Sequence, residues 1–138
     1  MTNLTDRTTS NGSGRLIDWL GRQRWWLFAL AWMAVIFYLS AQSRLVLPIV
    51  VWWTGLLSWI GHFTEYAVLA NLLWLAFRST PALSRRAAAI ALVVTALYAF
   101  SDEVHQSFVP GRTPDVRDWL VDVAAAAVAL WLLARSRR

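Results

Sequence analysis

The sequence predicts an all-α fold: an integral membrane four-helix bundle with both termini in the cytoplasm. Three observations carry that prediction. Of the 138 residues, 58% are apolar and only 15% charged, and the mean hydropathy is +0.46, a balance far from that of soluble domains. The apolar residues form long runs parted by short stretches that hold arginine or proline. Most of the ten tryptophans lie near the ends of those runs, where an interfacial aromatic belt belongs.

Composition also excludes several functions. Cysteine is absent, so neither disulfides nor a thiolate metal site can form. A net charge of +5 and a pI near 11.0 would suit a nucleic-acid binder. All thirteen basic residues, however, are arginines scattered between apolar runs, which is the pattern of topology signals. No nucleic-acid partner is expected. No glycine-rich phosphate loop, zinc-protease helix or serine triad is present.

The elements follow in order. Residues 1–14 are rich in Thr, Ser, Asn and Gly without apolar period and are expected to be a disordered cytoplasmic tail. Residues 15–24 place Leu16, Ile17 and Leu20 opposite Arg15, Asp18 and Arg22, which predicts a short interfacial helix completing that 1–24 unit. The first span is 25–41. It is too long for a signal-peptide core, and Leu39-Ser40-Ala41 is a poor cleavage site, so an uncleaved anchor is expected. Residues 45–77 are too long for one simple span. Pro48 breaks the run, giving a Trp-rich interfacial segment at 49–57 and a second span at 58–77. A loop holding Pro81 and three arginines covers 78–86. A third span over 87–108 ends at the Pro110-Gly111 turn. The fourth begins at Asp115 or Val116, where an acid suits a helix N-terminus, and ends at Ala134. The transmembrane domain is thus 25–135, with 136–138 a basic cytoplasmic end.

Ten of the thirteen arginines (7, 15, 22, 24, 78, 85, 86, 135, 137 and 138) fall on the tail, the 78–86 loop and the C-terminus. That bias puts both termini inside and the stretch around 101–118 outside.

Counted from the inner ends at 1.5 Å per residue, Glu65, His62, Asp102, Asp122 and Asp118 all rise by roughly 18–24 Å. Ionisable groups from three helices therefore share the outer third of a hydrocarbon core about 30 Å thick. Facing lipid, each would cost at least ~2–3 kcal/mol. Asp102, His105 and Gln106 share a helix face, as do Asp118 and Asp122. An outward-opening polar pocket walled by helices two, three and four is expected, with an internal salt-bridge latch fastening helix three to helix four through Asp102, Glu103, His105 and Arg112 as the alternative. Glu103 points elsewhere, toward Arg112 or Arg117. His62 and Glu65, three residues apart, read as a hydrogen-bonded pair, with a metal pair or proton relay as alternatives. The Pro110-Gly111-Arg112 turn could present N–H groups and a guanidinium to a phosphate, or simply end the helix.

Three motifs resemble the VanZ-like family. They are Phe37-Tyr38-Leu39-Ser40-Ala41-Gln42-Ser43, His62-Phe63-x-Glu65-Tyr66 with Leu69, and Ser101-Asp102-Glu103-x-His105-Gln106-x-Phe108-x-Pro110-Gly111-Arg112 with Asp118 beyond. The likeness spans about residues 25–133. Asp122 stands where the family usually has Asn, and Ala125 and Ala129 where glycines are common. The resemblance implies a four-helix protein of the bacterial cytoplasmic (inner) membrane. Its founding member is linked to low-level resistance to teicoplanin-type glycopeptides.

The expected binding residues are His62, Glu65, Asp102, Glu103, His105, Gln106, Arg112, Asp118 and Asp122. Two functions stay open. In one, the pocket engages a lipid-linked cell-wall precursor or another envelope component and alters glycopeptide susceptibility. In the other, it is a hydrolase or transferase on a lipid or lipid-phosphate, with a divalent cation on Asp102, Glu65 and Asp118 and His105 as acid or base. Proton-coupled transport through Glu65 and His62 is a third, poorer reading. The lipid bilayer is a partner in all of them. No resident cofactor is required by the binding function.

Overall fold

The computed structural model describes residues 6–42 and 53–136. Every regular element among them is helical: α1 (Asp6–Ser40), α2 (Trp53–Ser79), α3 (Ala87–Gln106) and α4 (Val116–Arg135), with a 3-10 turn at Ser84–Arg86. The chain runs up and down through the four. Trp26 near the start of the apolar part of α1 meets Phe77 near the end of α2 edge-on, with ring centroids 4.9 Å apart.

Small residues set the packing. The buried face of α3 repeats Ala87, Ala91, Thr95, Ala99, Asp102 and Gln106 at spacings of three and four. That of α4 is Asp122, Ala125, Ala126 and Leu130. Alanine lets backbones approach closely, and the larger side chains that fill the seam come mostly from α2: Tyr66, Leu69, Leu73, Trp74 and Phe77. Consequently α2 packs against all three other helices, whereas among the described residues α1 touches α2 and α3 but not α4. Two long-range bonds fix α1: Trp32 Nε1 donates to the Glu65 carbonyl at 2.9 Å and Tyr98 Oη to the Met33 carbonyl at 2.6 Å.

α1 begins at Asp6, inside the stretch expected to lack regular structure, and passes through residues 15–24 into the first span without a break. Extending an existing helix adds a bond per residue without a new nucleus, which lets weak helix formers follow the strong apolar run. Likewise α2 starts at Trp53, so the second half of the expected interfacial segment is continuous with the second span. Pro48 and residues 49–52 lie outside the described residues. α3 and α4 fall within two residues of their expected ends.

Large apolar side chains are exposed on every helix, among them Leu27 and Phe28 on α1, Ile60 on α2, Leu97 and Phe100 on α3, and Leu120 and Trp131 on α4. One helical stretch, Ser84–Gln106, is long and apolar enough to cross a membrane by length and composition.

Candidate functional site

The buried stripes of α2, α3 and α4 each end in polar residues on the same side of the bundle. His62 lies one turn above Tyr66 on α2, Asp102 and Gln106 continue the alanine face of α3, and Asp122 heads the stripe of α4. All four are buried, Asp122 completely. Asp115 caps α4, its carboxylate accepting from the Arg117 N–H at 2.8 Å. Before it, Pro110 and Gly111 form a turn closed by the Arg112 N–H to the Val109 carbonyl at 3.1 Å. Gly111 takes φ 79° there, the left-handed position that a turn of this kind reserves for glycine.

His62 Nδ1 lies 3.2 Å from Asp122 Oδ1 and 3.4 Å from Oδ2. The partner of His62 is therefore Asp122 across the bundle, not Glu65 on its own helix. A pair three residues apart shares a helix face but need not touch, and here the ring turns into the seam where α4 lies. Glu65 stays half-buried one turn away, within electrostatic range of His62, Asp102, Asp122 and Arg112.

Glu103 corrects the expectation more sharply. It is buried and its Oε2 accepts from the Asp115 backbone N–H at 2.9 Å. One of its carboxylate oxygens lies within 4.8 Å of donor atoms of both His62 and Asp122. The loop after α3 folds back over the helix end, so Glu103 faces α4 rather than solvent. The trio that converges is thus His62, Glu103 and Asp122, where a cation was expected on Asp102, Glu65 and Asp118.

Asp102 Oδ2 accepts from Gln106 Nε2 at 2.9 Å, one turn along α3. Arg112 reaches further, Nη1 to Gln106 Oε1 at 3.4 Å, Nε to the Gln42 carbonyl at 3.2 Å and Nη2 to the Leu39 carbonyl at 3.3 Å. The guanidinium so ties the turn to the end of α1 and the residues just after it. His105 also faces α1, its ring stacked on Phe37 with centroids 4.2 Å apart. Asp118 lies at the rim, in a polar cleft of about 140 Å³ with Gly111, Arg112, Thr113 and Asp115.

Four walls, rather than three, therefore surround the cluster, because α1 supplies Phe37 and the Leu39 carbonyl, and Gln42 just beyond it supplies a second carbonyl. Backbone acceptors leave no mark in a sequence. Tyr66 and Thr95 were also missed. Both are fully buried and their hydroxyls have no hydrogen-bond partner among the described residues. Tyr66 follows His62 by four residues and Thr95 precedes Asp102 by seven, so helical spacing places each on the stripe that leads into the cluster. Asp102 Oδ1, Glu103 Oε1 and His105 Nε2 are buried without partners as well.

On its flank, α3, α4 and the loop between them line a half-open cavity of about 400 Å³ bordered by Phe100, Val104, Pro114, Val116 and Trp119, with Glu103 on its wall. The described residues thus form an all-helical bundle with apolar outer faces and polar groups gathered at one end of its seam. The chain belongs to the VanZ/LLP1 family, whose model matches residues 25–137. No curated protein and no solved structure gives a significant match.

Proposed function

We propose that the protein is a multi-pass protein of the bacterial cytoplasmic membrane, with both termini inside, whose polar cluster engages the head of an envelope lipid or lipid-linked wall precursor and so alters susceptibility to teicoplanin-type glycopeptides. One observation carries this reading: Glu103 belongs at once to the polar cluster and to the wall of the 400 Å³ apolar cavity. A ligand suited to both has an apolar chain and a head rich in N–H or O–H donors, because the unmatched atoms of Asp102 and Glu103 are acceptors.

The membrane placement draws support from the helix ends. Arg24 lies over Trp25, Arg78 over Trp74 and Arg135 over Trp131, with 4.8–5.1 Å from guanidinium to ring. All three pairs are at the same end of the bundle, the end predicted to be cytoplasmic. Paired Trp and Arg suit the headgroup layer.

The test is expression in a glycopeptide-sensitive bacterium, with native mass spectrometry of the purified protein. The wild type is expected to raise the teicoplanin inhibitory concentration and to retain a lipid. Val104→Trp, which fills the cavity, is expected to lose both at an unchanged membrane level. No change in susceptibility and no retained lipid with well-inserted wild type would overturn the reading.

A further inference from the structure

His62, Glu103 and Asp122 come from three different helices, and all three are buried. We propose that they form a binding site for one divalent first-row transition cation of the zinc type. The site rests on these side chains and not on what the flanking cavity engages.

Charge is the first argument. Glu103 and Asp122 bring two buried carboxylates to one imidazole, which balances at most one of them. A buried carboxylate is tolerated when paired or bound to a metal. A dication held by Asp122 and Glu103 is neutral as a unit.

The second argument is a buried atom left over. The Asp115 N–H holds Glu103 Oε2 at 2.9 Å, while Oε1 is buried without a partner. The carboxylate is thus anchored through one oxygen and offers the other. Glu103 is only 6% exposed, so bulk water does not satisfy that atom.

Geometry is the third. Two ligands on one tetrahedral ion, each at about 2.1 Å, stand about 3.4 Å apart, and His62 Nδ1 and Asp122 Oδ1 are separated by 3.2 Å. The donor atoms of the full trio lie within 4.8 Å, so Glu103 closes the set by a side-chain adjustment on the order of 1 Å. The ion lies between the two groups that otherwise share a proton, binding the neutral ring through Nδ1 and leaving its proton on Nε2. One imidazole with two carboxylates suits zinc, cobalt or manganese, whereas calcium and magnesium prefer all-oxygen sets. Three protein ligands leave a coordination position for a further donor.

The experiment uses the full chain, without a polyhistidine tag, purified in detergent and stripped with chelator. Zn²⁺ is titrated in by calorimetry and Co²⁺ by visible absorption. One saturable equivalent is expected, with cobalt bands of an N/O site and no binding of Ca²⁺. Glu103→Gln and Asp122→Asn are each expected to weaken Zn²⁺ by at least about tenfold, since even outer-shell changes cost 10–100-fold. Should Asp122→Asn fail to fold, Glu103→Gln decides alone, its helicity checked by circular dichroism. Absence of a saturable equivalent in folded wild type, or affinity unchanged by Glu103→Gln, overturns the site. Either result leaves the susceptibility test above untouched.

Discussion

His62 on α2 and Asp122 on α4, sixty residues apart in sequence, meet at 3.2 Å with side chains 9% and 1% exposed. The pair closes the seam between the helix that touches every other and the one that has no contact with α1. Removing one partner of a buried pair leaves a polar or charged group uncompensated and costs about 3–5 kcal/mol. His62→Leu is therefore expected to lower stability by that amount in a detergent unfolding titration. His62→Leu with Asp122→Asn is expected to be less damaging than the single change, because no carboxylate is then stranded.

Arg112 connects the turn after α3 to the carbonyls of Leu39 and Gln42 through two different nitrogens. A lysine has one compact head and cannot span both acceptors while also reaching Gln106. Arg112→Lys is expected to behave like Arg112→Ala. Both increase amide hydrogen exchange at residues 37–42 by several-fold and leave the centre of α3 protected. Rescue by lysine would show that charge, not the fork, matters there.

Two adjacent residues near the middle of the apolar part of α1 are bonded to other helices, Trp32 to the Glu65 carbonyl and Met33, through its carbonyl, to Tyr98. Each bond is worth about 1 kcal/mol net. Tyr98→Phe removes only an oxygen and is expected to destabilise by that amount, and Trp32→Phe by somewhat more through lost area. The double variant, read by thermal unfolding in detergent, is expected to depart from the sum, because the two bonds act on adjacent residues of α1.

The lack of cysteine makes topology easy to probe. Thr113→Cys is exposed in the turn before α4, and Ala82→Cys is exposed in the loop before α3. In intact cells a membrane-impermeant maleimide is expected to label position 113, and to label 82 only after permeabilisation. The reverse pattern would invert the assigned orientation.

Much of this was legible in the sequence. The ends of α3 and α4 follow from Pro110-Gly111 and from the acid at position 115, since each acts through local backbone chemistry. Convergence of polar groups from three helices follows from rise per residue alone. Partner choice does not. Helical spacing puts His62 and Glu65 on one face, but only the packing of α4 decides that the imidazole meets Asp122. Glu103 seemed to point away because its azimuth on α3 was judged without the loop that folds back and donates the Asp115 N–H. The reach of α1 below Arg15 was missed because propensity describes isolated segments, and this one is attached to a strong helix.

That Asp115 amide has a consequence of its own. It belongs to the N-cap residue of one helix and clamps a carboxylate of the preceding helix, so residue 115 joins the start of α4 to a buried acid of α3. The 107–115 connection is thereby stitched to the interior at its far end, and the seam and the turn share an anchor at residue 115.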